Sequence, residues 1–176
     1  MKIDLILCNK ETGFVIKNMY PLYLHDLAEI HDTLPNRYGI FEEDETRTLS
    51  EQYDTQNIWF ENPEELFPYC ITVDGIPAGF CLIASGKYVS REVDYCVHET
   101  FILRPYRSKG ISQEAVIRIL DKHRGRWMLD TSSEDINSRA QLFWSRMILA
   151  YTGGIYQVEK RIIHNMPRLV FTFHNQ

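Results

Sequence analysis

The residues best suited to chemistry lie in the stretch 97–120, where an apolar strand, a basic loop and an amphipathic helix follow one another directly. Backbone N–H groups at the start of a helix have no partner within the helix, and the helix dipole adds partial positive charge there. Gly110 at this start lets the backbone approach an anion closely, and Arg104, Arg107 and Lys109 attract it. The stretch therefore predicts a site for phosphate or pyrophosphate.

Two familiar phosphate motifs do not occur in the sequence. A Walker loop needs G-x-x-x-x-G-K-[ST], and the dinucleotide fingerprint needs G-x-G-x-x-G, of which this stretch has Gly110 alone. The pattern present is R-x-x-G-x-S over residues 107–112, directly after a strand that ends in Leu103-Arg104-Pro105. These two nucleotide-binding classes are therefore excluded.

Strand and helix signals surround this loop on both sides. An Asp-Gly dipeptide at 74–75 between two apolar runs predicts a tight β-hairpin, and Pro21 predicts a kink or a break within the first helix. The spacing of apolar residues predicts strands at 3–7, 69–73, 76–84, 93–103, 127–131, 155–164 and 168–174, and helices at 15–30, 111–124 and 136–148. This order predicts a mixed α/β fold.

Three features together resemble a known family. The R-x-x-G-x-S turn follows a strand that ends in apolar-x-Pro, the Asp-Gly hairpin leads into that strand, and Asn137-x-x-Ala140-x-x-Phe143-Trp144 lies on the helix after the fifth strand. On these motifs the chain resembles the GNAT superfamily of acyl-CoA-dependent N-acetyltransferases, and a bacterial subgroup of predicted acetyltransferases within it. The resemblance covers essentially the whole chain, so that residues 1–176 are expected to form one domain. It implies an α/β fold whose mostly antiparallel central sheet splays between strands four and five and is flanked by helices.

The resemblance also implies acetyl-CoA as the co-substrate. The pantetheine arm would lie between the splayed strands and pair with the backbone of Phe101, Ile102 and Leu103, and the side-chain amide of Asn137 would contact it. A backbone N–H near Leu103 would polarise the thioester carbonyl. The pyrophosphate would rest on the amides of Arg107, Ser108, Lys109, Gly110, Ile111 and Ser112.

The resemblance further implies transfer of an acetyl group to a primary amine. Glu99 matches the strand carboxylate that takes the amine's proton through water in many relatives; the alternative is a structural carboxylate paired with a nearby arginine or hydroxyl. Many relatives carry a tyrosine where this chain has Trp144, whose indole is a poor proton donor, so the general acid is either Tyr151 or solvent. The same departure leaves open a second function, a catalytically inactive acyl-CoA-binding or sensor module.

The charge distribution agrees with a cationic acceptor. Residues 42–65 hold nine acidic residues and one basic residue, on the side of the fold that forms the acceptor pocket in this family. The residues expected to line or approach that pocket are Tyr20, Tyr23, Asp26, Glu42, Glu43, Asp44 and Glu45. The alternative is an ordinary solvated acidic loop.

The composition of the chain limits the kinds of partner that we expect it to have. A net charge of −5 over 176 residues argues against nucleic acid. No apolar run approaches the ~20 residues that span a membrane, no signal-peptide core is present, and the four cysteines include no C-x-x-C pair. We therefore expect a reduced, cytoplasmic protein without a membrane partner. His98-Glu99 lacks the second histidine of H-E-x-x-H, so that no metal is expected, and a homodimer is the commonest assembly for such a chain.

Overall fold

The computed structural model describes residues 1–42 and 44–176, and its centre is a seven-stranded sheet. The strands are β1 (Ile3–Leu7), β2 (Leu66–Val73), β3 (Ile76–Ser85), β4 (Tyr95–Ile102), β5 (Gly125–Ser132), β6 (Gln157–Ile163) and β7 (Met166–Asn175). The helices are α1 (Phe14–His31), α2 (Leu49–Thr55), α3 (Ile58–Glu61), α4 (Ile111–Leu120) and α5 (Ser138–Thr152). The strand order across the sheet is β1-β2-β3-β4-β5-β7-β6.

The two central strands β4 and β5 run parallel, whereas the other neighbours in the sheet are antiparallel. Their ladder covers three residue pairs and ends at Val97↔Leu129. Beyond this pair β4 stays bonded to β3 as far as Ile102, and β5 stays bonded to β7 as far as Ser132. The two strands therefore separate toward their C-terminal ends, which confirms the predicted fold with its splayed sheet.

A β-bulge in β4 turns one acidic side chain toward α1. Val97 pairs with Ile83 and Glu99 pairs with Leu82, so that His98 is an extra residue in this ladder. Val97 and Glu99 would share one face of a regular strand, but the bulge places them on opposite faces. Val97 packs into the core beneath α4 and α5, whereas Glu99 contacts α1.

Helices cover both faces of the sheet and bury a separate core on each. On one face α4 and α5 bury Ala115, Ile119 and Met147 against the strands. On the other face α1 and α3 bury Ile16 and Trp59. The two helical layers hold the separated strands from both sides, so that the gap between β4 and β5 is walled by helices.

Two local predictions need correction. Of the two alternatives predicted at Pro21, the break is wrong, because α1 is continuous and packs buried residues against the sheet on both sides of Pro21. That burial offsets the backbone hydrogen bond that a proline removes from a helix. The sequence predicts the last two strands at 155–164 and 168–174, but the hairpin turns at His164 and Asn165, which both have positive φ, and Pro167 lies within β7.

Candidate active site

The separation of β4 and β5 opens a cleft of about 770 Å³. Residues of α1 lie on one side of it, the segment that begins α5 lies on the other, and the loop from β4 into α4 closes one end. Residues predicted from the sequence that line this cleft are Tyr23, Asp26, Glu99, Phe101, Ile102, Arg104, Arg107, Ser108, Gly110, Ile111, Ser112 and Asn137. The tertiary structure thus brings together groups from distant parts of the chain.

Glu99 provides the carboxylate at the floor of the cleft. Its Oε1 accepts a hydrogen bond of 2.8 Å from the Tyr20 hydroxyl, and its side chain is 14% exposed. Among the residues that the structure describes, Oε2 has no hydrogen-bond partner. Burial raises the pKa of Glu99 to about 7, while the Tyr20 hydrogen bond opposes this rise and the Glu42 carboxylate adds to it. A carboxyl group of this pKa can exchange a proton near neutral pH.

The raised pKa of Glu99 predicts a pH-dependent effect on stability. Since the folded-state pKa lies above the unfolded one, folding favours the neutral carboxyl, and this advantage is lost as the pH rises through about 7. Glu99→Gln keeps an acceptor for Tyr20 without the charge. We expect this variant to gain about 1–2 kcal/mol in unfolding free energy over the wild type at pH 8.5, and nothing at pH 4.

Urea unfolding at the two pH values measures this difference. Glu64→Gln is the matched control, because Glu64 is exposed and its substitution should leave the stability unchanged at both pH values. A gain for Glu99→Gln that is equal at pH 4 and pH 8.5 would contradict the assigned pKa.

The loop at residues 103–110, hereafter the anion loop, leads into α4. Gly110 is the N-cap of α4 with φ of 77° and ψ of −4°, a left-handed conformation that favours glycine. A Cβ built on Gly110 meets nothing within 4 Å, so the space in front of the helix start is open. Within the described residues no side chain caps this N-terminus. The first N–H groups of α4 can therefore receive an anion.

The end of β4 presents the backbone of Ile102 to the gap. The N–H of Leu103 donates to Ala78 O at 2.8 Å, so this N–H points to β3. Because alternate residues of a strand point their backbone groups to opposite neighbours, Phe101 also faces β3 and Ile102 faces the gap. The N–H of Leu103 itself is therefore not placed to polarise a carbonyl in the gap, whereas the neighbouring Ile102 faces it.

Asp26 on α1 binds the two arginines of the anion loop. Its Oδ1 accepts a hydrogen bond from Arg104 Nη2 at 2.7 Å, and its Oδ2 accepts one from Arg107 Nη2. Arg107 Nε also donates to Ile102 O at 2.7 Å. Burial acts to raise the pKa of Asp26, but the hydrogen bonds from Arg107 and Arg104 outweigh it and hold the pKa below its ordinary value. Asp26 thus anchors the anion loop to α1, whereas the sequence suggested contact with the acceptor.

Asp26→Asn is expected to loosen this connection. The amide keeps one acceptor oxygen but loses the negative charge that both guanidinium groups share, so we expect unfolding free energy to fall by about 1–2 kcal/mol at pH 7. The deficit should shrink as the pH falls through the lowered pKa of Asp26, because the wild-type carboxylate is then protonated. Urea unfolding tests this with Asp54→Asn, an exposed site, as control; equal losses in both variants would contradict it.

The opposite wall of the cleft is formed by the segment that begins α5. Asn137 is buried, and its Nδ2 donates to Thr131 Oγ1 at 2.8 Å and to Ser132 O at 3.1 Å. These bonds tie the start of α5 to the end of β5. Trp144 is largely buried at the edge of the core, where it also lines the cleft, and its ring centroid is 5.0 Å from that of Phe143.

Sequence patterns do not assign a role in this site to four further residues that line the cleft, namely His98, Asp130, Arg139 and Arg168. Arg139 Nη2 donates to Ser108 Oγ at 2.7 Å, which brings another positive charge to the anion loop. Asp130 on β5 and Arg168 on β7 form an ion pair. Of these four residues, only Arg139 could have been found from the sequence, because it is a basic residue two positions after Asn137.

Comparison with known proteins agrees with this geometry. A family model described as the acetyltransferase (GNAT) family matches residues 25–147, which include β4, the anion loop and most of α5. The chain belongs to the acetyltransferase (GNAT) family. No curated protein matches the sequence significantly.

Solved structures share the fold of this GNAT chain at low sequence identity. An acetyltransferase from Thermus thermophilus has a TM-score of 0.61 at 13% identity, covering 99% of this chain and 98% of its own. AAC(6')-Ib in complex with ribostamycin and coenzyme A has a TM-score of 0.60 at 14% identity, and the match covers 99% of this chain and 94% of its own. A complex of AAC(6')-Ib that contains AcetylCoA has a TM-score of 0.57 at 15% identity, and the match again covers 99% of this chain and 94% of its own. Likeness at these identities shows the fold alone.

Several predicted residues do not line the cleft of this GNAT chain. Tyr20 is buried and reaches the site through its bond to Glu99. Glu42 accepts a hydrogen bond of 3.4 Å from Gln52 Nε2, and its negative charge contributes to the raised pKa of Glu99. The others are the exposed residues Lys109, Asp44 and Glu45 and the half-buried Leu103. Glu43, predicted to approach the acceptor, lies outside the described residues.

Tyr151 lies at the end of α5 that is distant from the cleft. Its hydroxyl donates to Asp121 Oδ1 at 2.9 Å and accepts from Asn175 Nδ2 at 3.1 Å, beside the start of β5. The cleft borders the opposite end of β5. The suggestion from the sequence that Tyr151 is the general acid therefore has no support from the structure.

Three observations bear on other partners of the GNAT chain. No helix within residues 1–42 and 44–176 has both the length and the apolar character of a membrane span. The same residues contain no cluster of three His, Cys, Asp or Glu side chains that could hold a metal ion. The cysteines at positions 8, 70, 81 and 96 are buried free thiols.

Proposed function

We propose that this protein transfers an acetyl group from acetyl-CoA to a primary amine by direct attack of the amine on the thioester. The observation that carries the proposal is Glu99, a carboxyl group with a pKa of about 7 that faces the cleft between β4 and β5. Such a carboxylate can take the proton of the attacking amine through a water molecule near neutral pH. Glu99 is thus the proposed general base, and Tyr20 orients it.

The proposed position of acetyl-CoA follows from the free backbone groups of the cleft. The pantetheine arm would pair with the N–H of Ile102, because Ile102 O is already bonded to Arg107. Its pyrophosphate would lie at the start of α4 in front of Gly110, where Arg139 adds positive charge to the anion loop. The structural neighbours that contain coenzyme A or acetyl-CoA support this choice of co-substrate.

The proposed acceptor is cationic in its free form. Glu99 lies on the cleft floor and Glu42 is close enough to act on its charge, so the acceptor side carries a negative potential that would attract an ammonium group. We also retain as predictions a single domain over residues 1–176, a cytoplasmic location, a homodimer, and no nucleic-acid or membrane partner.

A second candidate is an acyl-CoA-binding or sensor module without turnover. The observation that favours it concerns the proton donor, because Trp144 at the cleft carries an indole, a poor proton donor, and Tyr151 lies away from the cleft. In that case the cleft would bind acetyl-CoA and leave the thioester intact.

Calorimetric titration with acetyl-CoA, followed by a thiol-release assay across a panel of primary amines, separates the two candidates. The panel should include a monoamine, a diamine, an aminoglycoside and a peptide with a free N-terminus. We expect binding, and release with at least one amine. Binding without release on every acceptor would favour the module, and a failure to bind would contradict both candidates.

A further inference from the structure

Tyr23 lies on α1 and packs over the strands that border the cleft. Its ring contacts those of Tyr20, Phe80 and Phe101, with centroid separations of 5.5, 5.6 and 5.7 Å. These contacts hold the ring in place, and Tyr23 lines the cleft. In the part of the chain that the structure describes, this hydroxyl forms no hydrogen bond. A polar group is thus held in the cleft with its donor unused.

Charged groups surround this hydroxyl. Burial raises the pKa of Tyr23 well above its ordinary value, the charges of Glu99 and Asp130 add to the rise, and Arg168 opposes it. The hydroxyl therefore stays protonated at any pH at which the protein works. An O–H donor that is held in place stabilises negative charge that develops next to it, without giving up its proton.

Acetyl transfer creates negative charge on the departing sulfur, and the other candidate donors are occupied or distant. The Tyr20 hydroxyl is engaged by Glu99, and the Tyr151 hydroxyl is bonded to Asp121 outside the cleft. We propose that Tyr23 is a catalytic residue, whose hydroxyl donates a hydrogen bond to the sulfur of CoA as the thioester breaks. This inference rests on the proposed function, and it supplies the donor that the Trp144 position lacks.

The step balances without a further reactant. The ammonium group of the acceptor first loses a proton to solvent. The neutral amine nitrogen then forms a bond to the acetyl carbon, and a second proton passes from it through water to Glu99. The C–S bond breaks and its electron pair moves to sulfur, which accepts the hydrogen bond from Tyr23. CoA leaves as a thiolate and is protonated by solvent, and Glu99 returns its proton to solvent.

Tyr23→Phe is the direct test, because it keeps the ring contacts and removes only the hydroxyl. We expect kcat for thiol release to fall by about 10- to 100-fold between pH 6 and 9, with the KM and the calorimetric affinity for acetyl-CoA unchanged. The assay is run with an amine and also with water as the nucleophile, because slow hydrolysis expels the same sulfur. Tyr38→Phe, in an exposed tyrosine outside the cleft, is the matched control.

Tyr20→Phe distinguishes a sulfur donor from a residue that acts through Glu99. The hydrogen bond from Tyr20 lowers the pKa of Glu99, so its removal should move the acid limb of the rate profile to higher pH, with the rate recovered at pH 9. Tyr23→Phe should lower the maximal rate reached at high pH, and the pH at which the rate rises should stay nearly the same.

The outcomes separate this proposal from the proposed function. If Tyr23→Phe retains the wild-type kcat, or loses rate only in proportion to acetyl-CoA affinity, the role of Tyr23 is overturned and acetyl transfer stands. If the wild type binds acetyl-CoA but releases no thiol with any amine or with water, both are overturned.

Discussion

Glu99→Gln is expected to lower kcat for acetyl transfer by about 100-fold at pH 8. The wild-type rate should rise as the pH increases through about 7, because the carboxylate that accepts the amine's proton is formed over that range. Glutamine has nearly the same shape and still accepts the Tyr20 hydrogen bond, but it cannot take up a proton. The kcat of the variant should therefore no longer rise as the pH increases through about 7, while its affinity for acetyl-CoA is preserved.

The measurement is kcat against pH for the wild type and the variant, with Glu64→Gln as an exposed carboxylate control that should reproduce the wild-type profile. A Glu99→Gln profile that keeps both the rate and the limb near pH 7 would show that Glu99 is a structural partner of Tyr20. The stability gain expected for the same variant at pH 8.5 makes misfolding an insufficient explanation for a loss of rate.

Gly110→Ala is expected to weaken acetyl-CoA binding by about tenfold or more. An L side chain at φ of 77° costs about 1–2 kcal/mol in its left-handed conformation, and the protein should still fold because the new Cβ meets no neighbour within 4 Å. That open space lies in front of the N–H groups of α4, where the pyrophosphate is proposed to approach. The methyl group would hold the anion away from these donors.

Gly39→Ala is a closely matched control for this substitution. Gly39 also has φ of 77°, and a Cβ there likewise meets nothing within 4 Å, but it does not line the cleft. Both variants should lose similar stability in urea unfolding, whereas only Gly110→Ala should change the calorimetric affinity for acetyl-CoA. An unchanged affinity in Gly110→Ala would contradict the placement of the pyrophosphate.

The sequence alone could predict the anion loop and the hairpin, because their conformations depend on neighbouring residues. A glycine next to basic residues at a strand-to-helix junction predicts an anion site, and Gly110 does adopt the left-handed conformation at the start of α4. The Asp74-Gly75 dipeptide likewise forms the turn between β2 and β3, with positive φ at both residues. These features follow from local steric preference, which the residue types themselves determine.

Tertiary structure alone decided which side chains meet in the cleft. Asp26 is 81 residues from Arg107 and Tyr20 is 79 residues from Glu99, yet both pairs are joined by hydrogen bonds across the face of the sheet. The bulge at His98 turns Glu99 toward α1, and no alternation of apolar residues indicates it. Such contacts arise when a helix packs on a sheet to bury its apolar face, so they are set by the fit of whole surfaces, whereas the anion loop is set by its own residues.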